Sequence, residues 1–158
     1  MAERRPGRQL NLIVVGKLKD SHLEAVEQDY LKRINNPELL IHELKASAEN
    51  KEAEGEAILK KVRDLSQGGS GHIVIMTEWG KQSTSVSFAS WTRQLLERHA
   101  KIFFVIGGAE GFSEEVLNQC QERISLSELT FPHKIARILL VEQLYRAQTI
   151  RIGHPYHN

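Results

Sequence analysis

The chain has 158 residues, 41% hydrophobic and 26% charged, with a formal net charge of +1. That size suits one domain with a real core, and the charge is not the strongly basic balance of a protein that grips nucleic acid by charge alone. The single cysteine, Cys120, excludes an internal disulfide and fits a reducing compartment.

No apolar run approaches the roughly 20 residues of a membrane span. The opening MAERRPGRQ is charged and leads only into LIVV, too short for a secretory signal. Residues 1–9 read as a flexible extension before a single domain, 10–158, and the protein reads as cytoplasmic.

Leu10 to Val15 is a short apolar run closed by Gly16, which predicts a buried strand. Ser21 to Ile34 sets Leu23, Val26, Tyr30 and Ile34 at helical spacing, with Asp20 or Ser21 as N-cap. Leu39 to Leu44 is a second strand. Glu52 to Leu65 is a charged helix with a narrow stripe of Ile58, Val62 and Leu65, stopping at Gly68-Gly69. Its surroundings are the least core-like part of the chain, and a solvated helix is the plain expectation. His72 to Thr77 is a third strand. Val86 to His99 is a helix with Val86, Ala89, Leu95 and Leu96 inward. Ile102 to Ile106 is a wholly apolar strand, and Ser113 to Gln121 a short helix capped by Ser113. Ile124 to Ser127 is a fifth strand, and Pro132 to Ile150 the final helix. Strands and helices alternating in this way imply an α/β fold, a mostly parallel sheet with helices on both faces.

The chemistry-bearing signals crowd into the last third. FFVIGGAEGF, Phe103 to Phe112, is a buried strand breaking into a glycine-rich turn. It is no dinucleotide fingerprint, since G-x-G-x-x-G is absent, and Gly80-Lys81-Gln82 is no phosphate loop. A double glycine after a strand is by itself a tight turn. Leu126 to Phe131 offers hydroxyls at Ser127 and Thr130 for a bound nucleoside, or Thr130 as the cap of the next helix. Loops at strand carboxyl ends are where open α/β sheets bind small cofactors. The final helix is apolar on more than one side, which fits a subunit interface or a central core helix. The terminal GHPYHN carries His154, Tyr156 and His157. Zinc needs three or four ligands, and nothing else supports a metal. Trp79 and Trp91 read as packing groups, although Trp79 sits beside Gly80 where it can also meet a base.

In order, FFVIGGAEGF, SLSELTFPHKIARILLVEQLYRA and the terminal GHPYH resemble the RlmH-type members of the SPOUT methyltransferases, as do LNLIVVGKLKD and YLKRI near the start. The resemblance covers nearly the whole chain. It implies a C-terminal trefoil knot, an exception to the rule against knots. It also implies a homodimer with S-adenosylmethionine as methyl donor, and N3 of a pseudouridine in the helix-69 loop of 23S ribosomal RNA as the acceptor. Carried over by position, the cofactor contacts fall on Thr77, Gly107, Gly108, Leu126, Ser127, Glu128, Leu129, Thr130 and Phe131. VIMTEWGK departs slightly from the family's usual length, and MAERRPGRQ has no assigned role.

The N3–H of the base must lose its proton, so a base or a cation beside the developing anion is expected. His133, Arg137, Tyr156 and His157 are the candidates, with Arg137 as an electrostatic or phosphate contact. The near-neutral charge implies weak binding of a bare hairpin, so the assembled ribosome is the expected partner. Two rivals stand beside this reading. One is a non-catalytic RNA- or ribosome-binding module of the same fold. The other is a flavodoxin-like nucleotide-binding domain, which Gly16-Lys17-Leu18-Lys19 after the first strand disfavours.

Overall fold

The computed structural model describes residues 8–67, 69 and 71–158. Among them five strands and five helices alternate: β1 (Gln9–Val15), α1 (Ser21–Leu31), β2 (Leu39–Leu44), α2 (Lys51–Ser66), β3 (His72–Lys81), α3 (Ser85–Arg98), β4 (Lys101–Ile106), α4 (Glu114–Gln119), β5 (Glu122–Ile124) and α5 (His133–Ile152). The strands form one sheet in the order β2-β1-β4-β3-β5, and every pair is parallel.

Alternation along the strands divides the core in two. Leu10, Leu12, Val14, Val74, Ile102, Phe104 and Ile106 face α1, α3 and α5. Ile13, Val15, Ile73, Ile75, Phe103 and Val105 face α2 and α4. β1 and β4 lie side by side in the middle of the sheet and are buried on both faces, which is why they read as continuous apolar runs. Crossovers toward β2 use one face and crossovers toward β5 the other, so every connection has the same hand, as parallel crossovers require.

The helices depart from their apolar stripes in instructive ways. In α1 the buried residue is Glu27, whereas Val26 is exposed. Glu27 turns inward because Arg137 of α5 meets it. In α2, Ile58 and Val62 are buried as expected, but so are Leu59, Glu54 and Gly55. The solvated-helix reading is thus corrected: this helix covers one core and backs onto the β4–α4 turn. Its left-handed cap is Gln67, φ 54°, while Gly68 lies outside the described residues. In α3, Phe88 and Thr92 join Ala89 and Leu95 inside, and Val86 is exposed.

Two boundaries also move. β5 is Glu122–Ile124 rather than 124–127, because only those residues pair with β3; Ser125 to Phe131 is left as loop. The first strand begins before residue 10. Gln9 opens β1, and the Arg8 guanidinium donates to the carbonyls of Leu96, Glu97 and His99 at the end of α3. Residues 1–7 of the expected extension lie outside the described residues.

Candidate active site

β3 does not end cleanly at Thr77. Met76 and Lys81 both pair with Ile124, so residues 77–80 bulge out of the strand and back. Gly80 makes the return possible: a Cβ there would overlap the backbone of Ile124. Within the bulge the Thr77 hydroxyl accepts the N–H of Trp79 at 3.1 Å, and Trp79 projects into solvent, 92% exposed. Trp79 is therefore not a packing group. Trp91 is: its ring lies against Phe88 and Phe104, and its Nε1 donates to Glu122.

β4 ends in Gly107-Gly108, followed by a turn closed by the N–H of Gly111 on the carbonyl of Gly108 at 3.1 Å. Gly111 has φ +81°, a conformation glycine takes without strain. Beyond β5, the Ser125 hydroxyl donates to the carbonyl of Ser127, and the Ser127 hydroxyl accepts the N–H of Leu129. Thr130 does not cap α5. Its hydroxyl donates to Glu78 at 2.9 Å and ties the β3 bulge to the β5–α5 loop. Pro132 is the N-cap, with no side-chain cap bond.

These three loops enclose a cleft of about 610 Å³ at the carboxyl ends of β3, β4 and β5. Its size suits a nucleoside-sized ligand. Thr77, Gly107, Gly108, Leu126, Ser127, Leu129, Phe131 and His133 line it; Glu128 and Thr130 do not. Met76, Ile106, Phe112 and Leu117 supply apolar wall, and Lys51, Glu78, Glu110 and Arg123 supply charge. Most of these flank the residues expected from sequence. Lys51 is different, for it comes from α2, and no local signal connects that helix to the turn after β4.

Arg137 lies outside the cleft lining and is buried. Its Nε and Nη2 donate to Glu27 at 2.7 and 2.8 Å, and its Nη1 donates to Glu43 at 2.6 Å. Burial opposes the charge on Arg137, but these bonds outweigh it and raise its pKa. Burial likewise pushes the Glu43 carboxyl up, yet the bonds from Arg137 and the N–H of Leu18 hold it below its ordinary value. In this chain Arg137 joins α5 to α1 and β2 through a buried ion-pair cluster outside the cleft.

The terminal residues pack rather than fray. α5 ends at Gly153, φ +74°, and the tail folds back along the helix. The Tyr156 hydroxyl donates to Glu142 at 3.0 Å, its ring meets Tyr145 edge-on, and Arg146 lies over it. Burial, then hydrogen bonds with Tyr30 and Glu142, raise the Tyr156 pKa strongly. Arg146 Nη1 lies 2.9 Å from His157 Nδ1. Since arginine only donates, that ring nitrogen is the acceptor. The tail's anchor at Glu142 is about 14 Å along the helix axis from His133, and neither Tyr156 nor His157 lines this chain's cleft.

A family model described as "Predicted SPOUT methyltransferase" matches residues 9–157. Three curated relatives carry the name "Ribosomal RNA large subunit methyltransferase H". The protein from Bacteroides fragilis is 36% identical, over 93% of this chain and 97% of its own. That from Enterococcus faecalis is 36% identical over 94% and 99%. That from Prochlorococcus marinus is 40% identical over 92% and 93%. Among solved structures, the tRNA (m1G37) methyltransferase from Aquifex aeolicus aligns with a TM-score of 0.56 and 15% identity, over 88% of this chain and 70% of that one. The SpoU methyltransferase AviRb from Streptomyces viridochromogenes, in complex with AdoMet, aligns at 0.51 and 12% over 98% and 64%. At those identities the likeness is one of fold.

Proposed function

Because the chain belongs to the SPOUT methyltransferase family, we propose that it transfers a methyl group from S-adenosylmethionine to N3 of a pseudouridine in the helix-69 loop of 23S ribosomal RNA, on the assembled ribosome. The observation that carries this is the match, end to end, to relatives named for methylating large-subunit ribosomal RNA, joined to a cleft at the strand ends where such a fold holds its cofactor.

The lining fits the cofactor. Gly107 and Gly108 leave bare backbone on one wall, and Leu126, Phe131 and Met76 give apolar surface for a purine. When bound, the cofactor supplies a methyl group already activated by its sulfonium. The protein's task is then alignment of acceptor and methyl, where proximity contributes most.

His133 stands at the cleft edge, on the first residue of α5. In this reading it accepts the N3 proton, and the uncapped first turn of α5 brings partial positive charge to the same side of the cleft, favouring the anion that results. Trp79, exposed on the rim, offers a stacking face to an unpaired base.

The working unit in this proposal is a homodimer. Leu129 before α5 and Ile135 in its first turn are exposed, and Ile138 and Leu139 on α5 are only partly covered. That much apolar surface around one helix favours a partner. The trefoil knot belongs to the same proposal. It is consistent with a chain that leaves β5 at one sheet edge and returns through the β5–α5 loop to pack against α1 and α3.

The test is methyl transfer from labelled S-adenosylmethionine to ribosomes lacking the modification, with the labelled nucleotide mapped. Label at one pseudouridine of 23S RNA is the expected result. Cofactor binding without label would indicate another RNA. Failure to bind the cofactor would favour the non-catalytic ribosome-binding module.

A further inference from the structure

Glu54 is a buried acid in the first turn of α2, 7% exposed, directly behind the cleft. Its Oε2 accepts the N–H of Ser47 at 2.9 Å. The carboxylate fills the space where Gly108 would carry a side chain: a Cβ there would lie 2.5 Å from Oε1 and 2.9 Å from Oε2. Gly108 lines the cleft and Glu54 does not, so the carboxylate packs against the cleft wall at Gly108. Among the described residues, no Lys, Arg or His forms an ion pair with Glu54.

The fixed charges on the cleft lining itself cancel. Lys51 and Arg123 stand against Glu78 and Glu110. Glu78, Glu110 and Arg123 are exposed, where water and salt screen them. Lys51 is half-buried, and Glu54, behind the lining on the same helix, is buried; a charge so placed acts through a lower effective dielectric. Burying an acid without a cation is costly. The helix N-terminus and the Ser47 N–H offset part of that cost, but an apolar residue would have avoided it.

We propose that Glu54 is a specificity-determining residue. Through Gly108 it makes the cleft favour the sulfonium-bearing S-adenosylmethionine over the neutral thioether product, S-adenosylhomocysteine. This rests on the cofactor reading above. The two ligands differ by one positive charge and one methyl group, so a fixed negative charge at the back wall separates them and assists product release.

Calorimetric titration of both ligands into the full chain tests this, using wild type and Glu54→Gln. Glutamine keeps the size and an acceptor for the Ser47 N–H but removes the charge. The expected result is S-adenosylmethionine weakened about 5- to 10-fold, the order expected of one charge at moderate distance, with S-adenosylhomocysteine changed less than about twofold. Equal weakening of both, which a purely structural role predicts, overturns the proposal, as does no change in either. Should Glu54→Gln fail to fold, Glu54→Asp decides. Retention of the charge must leave the ratio of the two affinities within about twofold of wild type, and a larger shift overturns the proposal. A wild-type chain that binds neither ligand overturns the cofactor reading and this inference with it.

Discussion

Arg137 closes a two-pronged grip on the carboxylate of Glu27, 110 residues away in sequence, at 2.7 and 2.8 Å. Its remaining arm reaches Glu43. Both Arg137 and Glu27 are buried, so removing the arginine strands the Glu27 carboxylate, while Glu43 keeps access to water. Arg137→Ala should destabilise the fold by about 3–5 kcal/mol, read as a lowered urea midpoint. Arg137→Ala with Glu27→Leu should recover part of that loss, because the stranded charge is gone. A loss below about 1 kcal/mol for the single variant would mean that the cluster is held by something other than this pairing.

The bulge between Met76 and Lys81 depends on Gly80 approaching Ile124 more closely than any side chain permits. Gly80→Ala must push β3 away from β5 or open the bulge. Both movements displace Thr77 and Glu78, and Glu78 holds Thr130 across the cleft. The expected outcome is a stability loss of about 2–4 kcal/mol and a fall in cofactor affinity of at least about tenfold. Normal affinity in calorimetry would show that the bulge does not shape the cleft.

The parallel sheet and its central strands were legible because β1 and β4 are buried on both faces and their apolar runs admit few other readings. The glycine turn after β4 and the loop before α5 were legible as loops at strand ends, the second mainly through resemblance. What sequence hid was mostly long-range and polar. Glu27 spoils the apolar stripe of α1 because its partner lies in α5. Glu54 looks like surface charge on a charged helix until Gly108 is found against it. Trp79 reads as either a packing group or a base-stacking face until a bulge, which no local pattern announces, turns it outward.

Acid should weaken the fold well before carboxylates titrate. Burial, with Lys61 nearby, lowers the His42 pKa; burial, with His72 and Arg98, lowers that of His99, both from an ordinary value of 6.5. The unfolded chain therefore takes up these protons first as pH falls. Stability is complete above about pH 6.5 and declines below it until the folded rings also protonate. A further decline follows near and below the ordinary glutamate range as Glu43, held low in the fold, is protonated. Melting temperatures measured from pH 8 to 4 should show both declines, and His99→Gln should flatten the upper one. An unchanged melting temperature between pH 7 and 5.5 would contradict the histidine part.

The tail is docked on its own α5, far from its own cleft, through Tyr156 and Glu142. Removing residues 154–158 should abolish methyl transfer while circular dichroism stays that of a folded chain. If the tail works in a dimer by reaching the other cleft, a mixture of the truncated chain with His133→Ala should regain activity that neither has alone. Full activity of the truncated chain would remove the tail from the mechanism. Inactivity of the mixture, with dimer exchange verified, would assign the tail to its own cleft after release from Glu142.

Trp79 separates folding from substrate capture. At 92% exposure its side chain contributes little to the core, so Trp79→Ala should change stability by no more than about 0.5 kcal/mol. It sits on the cleft rim, however, and stacking of a base on an aromatic ring is worth roughly 1–3 kcal/mol. Methyl transfer to ribosomes should fall about 5- to 150-fold in kcat/KM, the range that energy implies, and Trp79→Phe should restore most of it. S-adenosylmethionine affinity should move less than about threefold, since the Trp79 ring projects from the rim into solvent while Met76, Gly107, Gly108, Leu126 and Phe131 form the cofactor wall. A parallel loss of cofactor binding would place Trp79 over the cofactor instead of the RNA.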